Sequence, residues 1–152
     1  MKKISTALWL AALTSVTVHA ASLDLALYET VRVNGAATLQ KVTTALPGQV
    51  LRQVAVVTTD KAVSSPRATI PVPAYTTFAG NLALPSGATA TFSLDGKTFS
   101  PKPMKSVTVN ENGRSVTKLV PAPEQEYRAV RVTLPAMKLN TPYTVAYDIK
   151  VN

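Results

Sequence analysis

Tyr143-Thr144-Val145-Ala146-Tyr147-Asp148-Ile149-Lys150-Val151-Asn152 decides the fold class. Tyr143, Val145, Tyr147, Ile149 and Val151 share one parity. Thr144, Ala146, Asp148, Lys150 and Asn152 share the other. Successive side chains of an extended chain point to opposite faces, so one face here is apolar and the other mostly polar. That is the pattern of a half-buried antiparallel strand. The run before it behaves alike: Val130, Val132 and Leu134 face one way, Tyr127, Ala129, Arg131 and Thr133 the other. Near the start, Leu23, Leu25, Leu27, Val31 and Val33 keep one parity, with Glu29 as the exception.

Eleven prolines and six glycines punctuate the chain between these ends. No stretch has the period of a long amphipathic helix. Further strands are expected near residues 39–43, 49–59, 68–72, 76–78, 89–94, 97–100, 106–109 and 115–120, each rich in β-branched residues or alternating. Asp95-Gly96 reads as a tight hairpin turn, and Asn110-Glu111-Asn112-Gly113 as a second. Many short strands with regular turn signals indicate an all-β sandwich or barrel. Composition does not shift along the chain, so a single domain over residues 21–152 is expected.

The first twenty residues read as an export signal. Lys2 and Lys3 form a positive start, an apolar run follows from Ile4 to Val18, and Val18-His19-Ala20 suits cleavage after Ala20. The run is short for a membrane span, so no transmembrane anchor is expected. Removing these 20 residues from the 152 leaves 132, enough for one core. Losing Lys2 and Lys3 from 16 basic residues leaves 14 against 8 acidic, a formal charge of +6. The expected location is the periplasm, the cell envelope or the outer surface.

The only His (His19) and the only Trp (Trp9) fall inside that signal, and the chain has no Cys. The exported part therefore lacks the side chains of thiol catalysis, histidine-based acid–base work and copper binding. Ser115-Val116-Thr117-Lys118 carries the letters of a Ser-x-x-Lys motif, but in a strand residues three apart face opposite ways. Glu124 and Glu126 stand close in a proline-flanked loop that offers no further oxygen ligands, so a solvated loop is the better reading. No enzyme activity, metal or cofactor is expected. The basic excess gathers at Lys97, Lys102, Lys105, Arg114 and Lys118, a candidate surface for an acidic polymer or partner protein. Export argues against nucleic acid.

From about Lys41 onward the landmarks follow a known order. Leu46-Pro47-Gly48 opens a strand, then come Pro73-Ala74-Tyr75-Thr76-Thr77-Phe78 and Ser93-Leu94-Asp95-Gly96-Lys97-Thr98-Phe99. The last two alternating runs, 127–132 and 143–151, close the chain. This resembles, in divergent form, the conserved-repeat module of bacterial cell-surface proteins, domain of unknown function eleven. Tyr75 stands where that family has Gly, Val132 where it has Trp, and Thr59-Asp60-Lys61 where it often has Asn-x-Gly. The resemblance implies an immunoglobulin-like antiparallel β-sandwich in the cell envelope, with no established catalysis. The expected role is a non-catalytic structural or accessory subunit, hetero-oligomeric with other envelope proteins. The alternative is a binding module for acidic surface polymers or glycans. The segment 21–40 is expected to pair in its own sheet or to be exchanged with a neighbour.

Overall fold

The computed structural model describes residues 8–9 and 21–152. The segment read as an export signal, with its cleavage site, otherwise lies outside the described residues. Leu8–Trp9 (β1) pairs antiparallel with Thr44–Ala45 (β4). The remaining strands are β2 (Ala21–Val33), β3 (Ala36–Val42), β5 (Val50–Thr59), β6 (Arg67–Pro71), β7 (Thr76–Phe78), β8 (Thr89–Ser93), β9 (Met104–Glu111), β10 (Arg114–Pro121), β11 (Ala129–Thr133) and β12 (Tyr143–Val151). Every pairing is antiparallel. The described residues contain no α-helix, only a 3-10 turn at Glu124–Glu126.

β12 is an interior strand of the larger sheet, whose order is β3-β2-β5-β12-β7. Its odd positions Val145, Tyr147, Ile149 and Val151 are buried, while Thr144 and Lys150 are exposed. Neighbouring β5 alternates in step, with Leu51, Gln53, Ala55, Val57 and Thr59 inward. A second sheet has the order β6-β11-β8, and its Ala68, Ile70, Val130 and Val132 join the same buried cluster. Side chains from both sheets therefore exclude water jointly, the dominant favourable term in folding. With no Cys in the chain, this burial is not supplemented by a disulfide.

An aromatic group sits in this core. The Phe78 ring lies 5.8 Å from Phe92, 5.6 Å from Tyr127 and 5.2 Å from Tyr147, and Phe92 stacks on Tyr127 at 4.7 Å. These are the tilted and offset distances that aromatic pairs prefer. Tyr127 reaches the core because it precedes β11, so the parity of that strand does not govern it. The Tyr147 hydroxyl donates to the Pro71 carbonyl at 3.0 Å, and Gln53 Nε2 donates to the same oxygen at 3.1 Å. Gln53 is fully buried, and its Oε1 has no hydrogen-bond partner among the described residues.

Glu29, the exception in the first alternating run, is partly buried at an inward position. It accepts a hydrogen bond from Gln49 Nε2 at 3.0 Å, which offsets the desolvation of its carboxylate. Gln49 Oε1 in turn accepts the Leu46 N–H, at the mouth of the Pro47-Gly48 turn.

The expected strand over 97–100 does not form, and Asp95-Gly96 is not a two-residue hairpin. Only Ser100 returns to the sheet, exchanging two backbone hydrogen bonds with Phe92. The reason is local competition for donors. Asp95 Oδ1 accepts the N–H groups of Lys97 and Thr98, and Ser93 Oγ accepts that of Gly96, each at 2.8 Å. Backbone groups satisfied by side chains are withdrawn from a strand ladder.

Two strand pairs extend away from the two sheets as ribbons. β2 pairs with β5 only from Ala21 to Tyr28, while its pairing with β3 runs from Leu27 to Val33. Glu29–Val33 and its β3 partners are therefore a two-stranded ribbon. Asn34-Gly35 closes it, both residues with positive φ (51° and 83°). That conformation matches the twist of a tight hairpin, and Gly adopts it without steric cost. β9 and β10 form the second ribbon, closed by Asn112-Gly113, and no other described strand joins it.

Candidate functional site

The basic residues divide between the β9–β10 ribbon and the segment before it. Register places Arg114 opposite Glu111, Lys118 opposite Val107, and Val120 opposite Lys105. Opposed residues share a face, so Lys105, Arg114 and Lys118 lie on one side of the ribbon with Val107, Val109 and Val116. Lys97 and Lys102 sit outside the strands, in the loop before β9. Two of these cations are engaged: Lys105 with Glu126 and Lys118 with Glu111. Both pairs are substantially exposed, so each contributes little stability. Their effect is to neutralise the face locally.

Ser115 and Lys118 are not brought together. Ser115 opposes Asn110 on the other face of the ribbon, with Thr108, Thr117 and Leu119. Glu124 and Glu126 form the 3-10 turn, where Glu126 turns to Lys105. Among the described residues, no group of three or more His, Asp or Glu side chains could hold a metal ion. An open hollow of about 460 Å³ is lined by Ala62, Val63, Ser64, Ala136, Met137 and Lys138, a wall with one ionisable group.

The Asp95 loop is latched to the outside of the smaller sheet. Arg131 of β11 stacks its guanidinium 3.6 Å from the centre of the Phe99 ring and donates from Nε to the Thr69 hydroxyl at 3.2 Å. Cation–π stacking of this kind holds an exposed loop without burying charge. The Asp95 carboxyl is held well below its ordinary pKa of 3.8. The N–H groups of Thr98 and Lys97 contribute most, then the Ser93 hydroxyl. A lowered folded-state pKa gives stability that is complete above about pH 4 and lost as pH falls through the folded value. Asp95→Asn keeps an acceptor but no charge. Its urea midpoint should lie below that of the parent at neutral pH, and the gap should narrow below about pH 4. A gap that stays constant with pH would show that the latch does not use the charge.

Tyr75 stands in the turn before β7. It has a positive φ of 61° and is 71% exposed. A bulky residue in this region costs on the order of 1 kcal/mol or more, which surrounding bonds must offset. The Thr76 hydroxyl donates to the Pro73 carbonyl at 2.8 Å, and Asn152 N–H donates to the Tyr75 carbonyl at 2.9 Å.

The strand edges are unequal. β7 has three residues and follows Pro73. β6 follows Pro66 and ends on Pro71. β8 has five residues and leads into the Asp95 loop. Short edges and prolines are the devices by which proteins avoid edge-to-edge pairing. β3 has seven residues and no proline; β9 and β10 have eight each, with proline only at the end of β10. Among the described residues these ribbon edges have no further strand beside them, and β2 also lacks a partner on its β3 side from Ala21 to Ala26. They also carry exposed apolar side chains, including Val33, Leu39, Met104 and Leu119. Asn34-Gly35 was the available sequence signal for the first ribbon.

Compared with family models, curated proteins and solved structures, the chain matches none, the conserved-repeat module included.

Proposed function

We propose that this chain is an exported, non-catalytic structural or accessory subunit of a bacterial cell-envelope assembly. Its two sheets are read as an immunoglobulin-like sandwich, and its contacts with other envelope proteins are made through strand edges. One observation carries the reading: the short core-sheet edges β6, β7 and β8 lie beside prolines or lead into a latched loop, whereas the ribbon edges β3, β9 and β10 are long and have no further described strand beside them. An uncovered edge offers a row of backbone donors and acceptors to another chain, which is the basis of β-strand addition. Pairing of Lys105 and Lys118 with acids favours protein contact over an acidic polymer, since it removes two of five charges from the basic cluster.

The test is affinity capture of the chain from native envelope extract. A defined protein partner should remain bound in about 0.5 M salt, where exposed charge pairs are screened within a few ångströms. It should also survive Lys97→Glu with Lys102→Glu. Binding that vanishes in salt and in that double variant would point instead to the acidic-polymer alternative.

A further inference from the structure

We infer that Asn34 and Asn112, at the tips of the two ribbons, are the sites at which this chain modifies itself, each losing ammonia to become aspartate or isoaspartate. Both precede glycine, as Asn34-Gly35 and Asn112-Gly113. Each asparagine has a positive φ (51° and 52°), as has the glycine after it (83° and 78°), and all four residues are exposed. No described residue accepts a hydrogen bond from the Gly35 or Gly113 N–H. Nothing lies within 4 Å of where a side chain would begin at either glycine. The nucleophile of the reaction, the backbone nitrogen after asparagine, is therefore bare at both tips.

The step needs only water. The Gly nitrogen gives its proton to hydroxide and attacks the asparagine Cγ. A C–N bond forms, the Cγ–Nδ2 bond breaks, and ammonia leaves as a succinimide ring closes. Water then opens the ring at either carbonyl, giving aspartate or isoaspartate. The turn must open for Cγ to meet the nitrogen, so local stability sets the rate. Opening is cheap here. Among the described residues Glu29–Val33 pairs only with β3, and β9 only with β10. A two-stranded hairpin alone is marginally stable. Asp95-Gly96 has similar letters and a different fate. Its Gly N–H donates to Ser93 Oγ at 2.8 Å, and the Asp95 carboxylate accepts the N–H groups of Lys97 and Thr98. Both reacting groups are occupied, and an ionised carboxylate is a poor electrophile. Asn81, Asn110 and Asn140 precede Leu, Glu and Thr, whose side chains crowd the nitrogen. Isoaspartate adds a carbon to the backbone of a two-residue turn, so Val33 with Ala36, or Glu111 with Arg114, loses its register.

The test incubates the full chain in warm, mildly alkaline buffer, folded and in guanidinium chloride, and follows its peptides by mass spectrometry. In the folded chain the Asn34 and Asn112 peptides should gain the mass difference between amide and acid, ahead of Asn81, Asn110 and Asn140. Folding should slow these two sites by no more than about tenfold, and isomerisation at Asp95 by about a hundredfold or more. Ser93→Ala bares the Gly96 N–H, so isoaspartate at position 95 should rise several-fold while Asn34 and Asn112 keep the parent's rates. Asn34→Gln and Asn112→Gln should each abolish the gain at their own site. The inference is overturned if either Asn-Gly peptide converts in guanidinium chloride and stays unchanged in the folded chain. It is equally overturned if folding protects Asp95 no better than the two tips, or if folded Ser93→Ala leaves position 95 as slow as in the parent.

Discussion

Phe78→Ala should cost about 3–5 kcal/mol of folding stability, the usual range for removing a fully packed aromatic ring. Phe78 is 2% exposed and is the one ring that touches the other three of the aromatic group. It arrives from β7 at the edge of the larger sheet, while Phe92 arrives from β8 of the smaller one. The ring thus joins the two sheets, and its loss leaves a cavity that neither sheet can close alone. Domains of this size have only about 5–15 kcal/mol in total. A thermal midpoint lower by on the order of 10–20 °C is expected. Circular dichroism and urea melts of the variant measure it. A loss below about 1 kcal/mol would mean that the sheets do not share a core.

Tyr147 supplies the second large effect, and two variants separate its packing from its hydroxyl. Tyr147→Ala should also lose about 3–5 kcal/mol, since the side chain is completely buried against Phe78 and between β5 and β7. Tyr147→Phe should lose only about 1 kcal/mol, the ordinary net value of a hydrogen bond. The Pro71 carbonyl is not orphaned in that variant, because Gln53 Nε2 still donates to it. The phenol adds a pH signature. Burial raises its pKa above the ordinary 10.0. The neutral folded form is therefore favoured fully below about pH 10, and that part of stability is lost as pH rises towards the folded value. Tyr147→Phe should flatten the alkaline limb of stability against pH. Equal alkaline limbs in parent and variant would contradict the burial of the phenol.

Much of the fold was legible where alternation is strict and a turn residue marks the end. β12, β5 and β7 lie within a residue of where their patterns place them. Asn112-Gly113 makes the expected hairpin. Failures came where side chains compete with the ladder. Asp95 and Ser93 take the N–H groups that a strand over 97–100 would have used, and their letters resemble a hairpin turn. Apolar parity misled in another way at Val31 and Val33. They continue the pattern of Leu23 and Leu27, yet the ribbon carries them beyond β5, and Val33 ends exposed. Parity reports which face a residue occupies and says nothing of whether another sheet covers that face.

The candidate site was less legible for a related reason. The five basic residues are near in sequence, but strand register decides which share a face, and local acids decide which stay unpaired. Glu126 is 21 residues from Lys105, so nothing in spacing foretold that pair. That β3, β9 and β10 have no further strand beside them among the described residues is likewise readable only when the sheet order is known.

Native mass after gentle extraction from the envelope tests the account most directly. The chain should elute with a second envelope protein in the same fractions, at a mass above that of the chain alone, and should stay there in about 0.5 M salt. Elution as a free chain, or as a bare dimer with nothing bound, would contradict it.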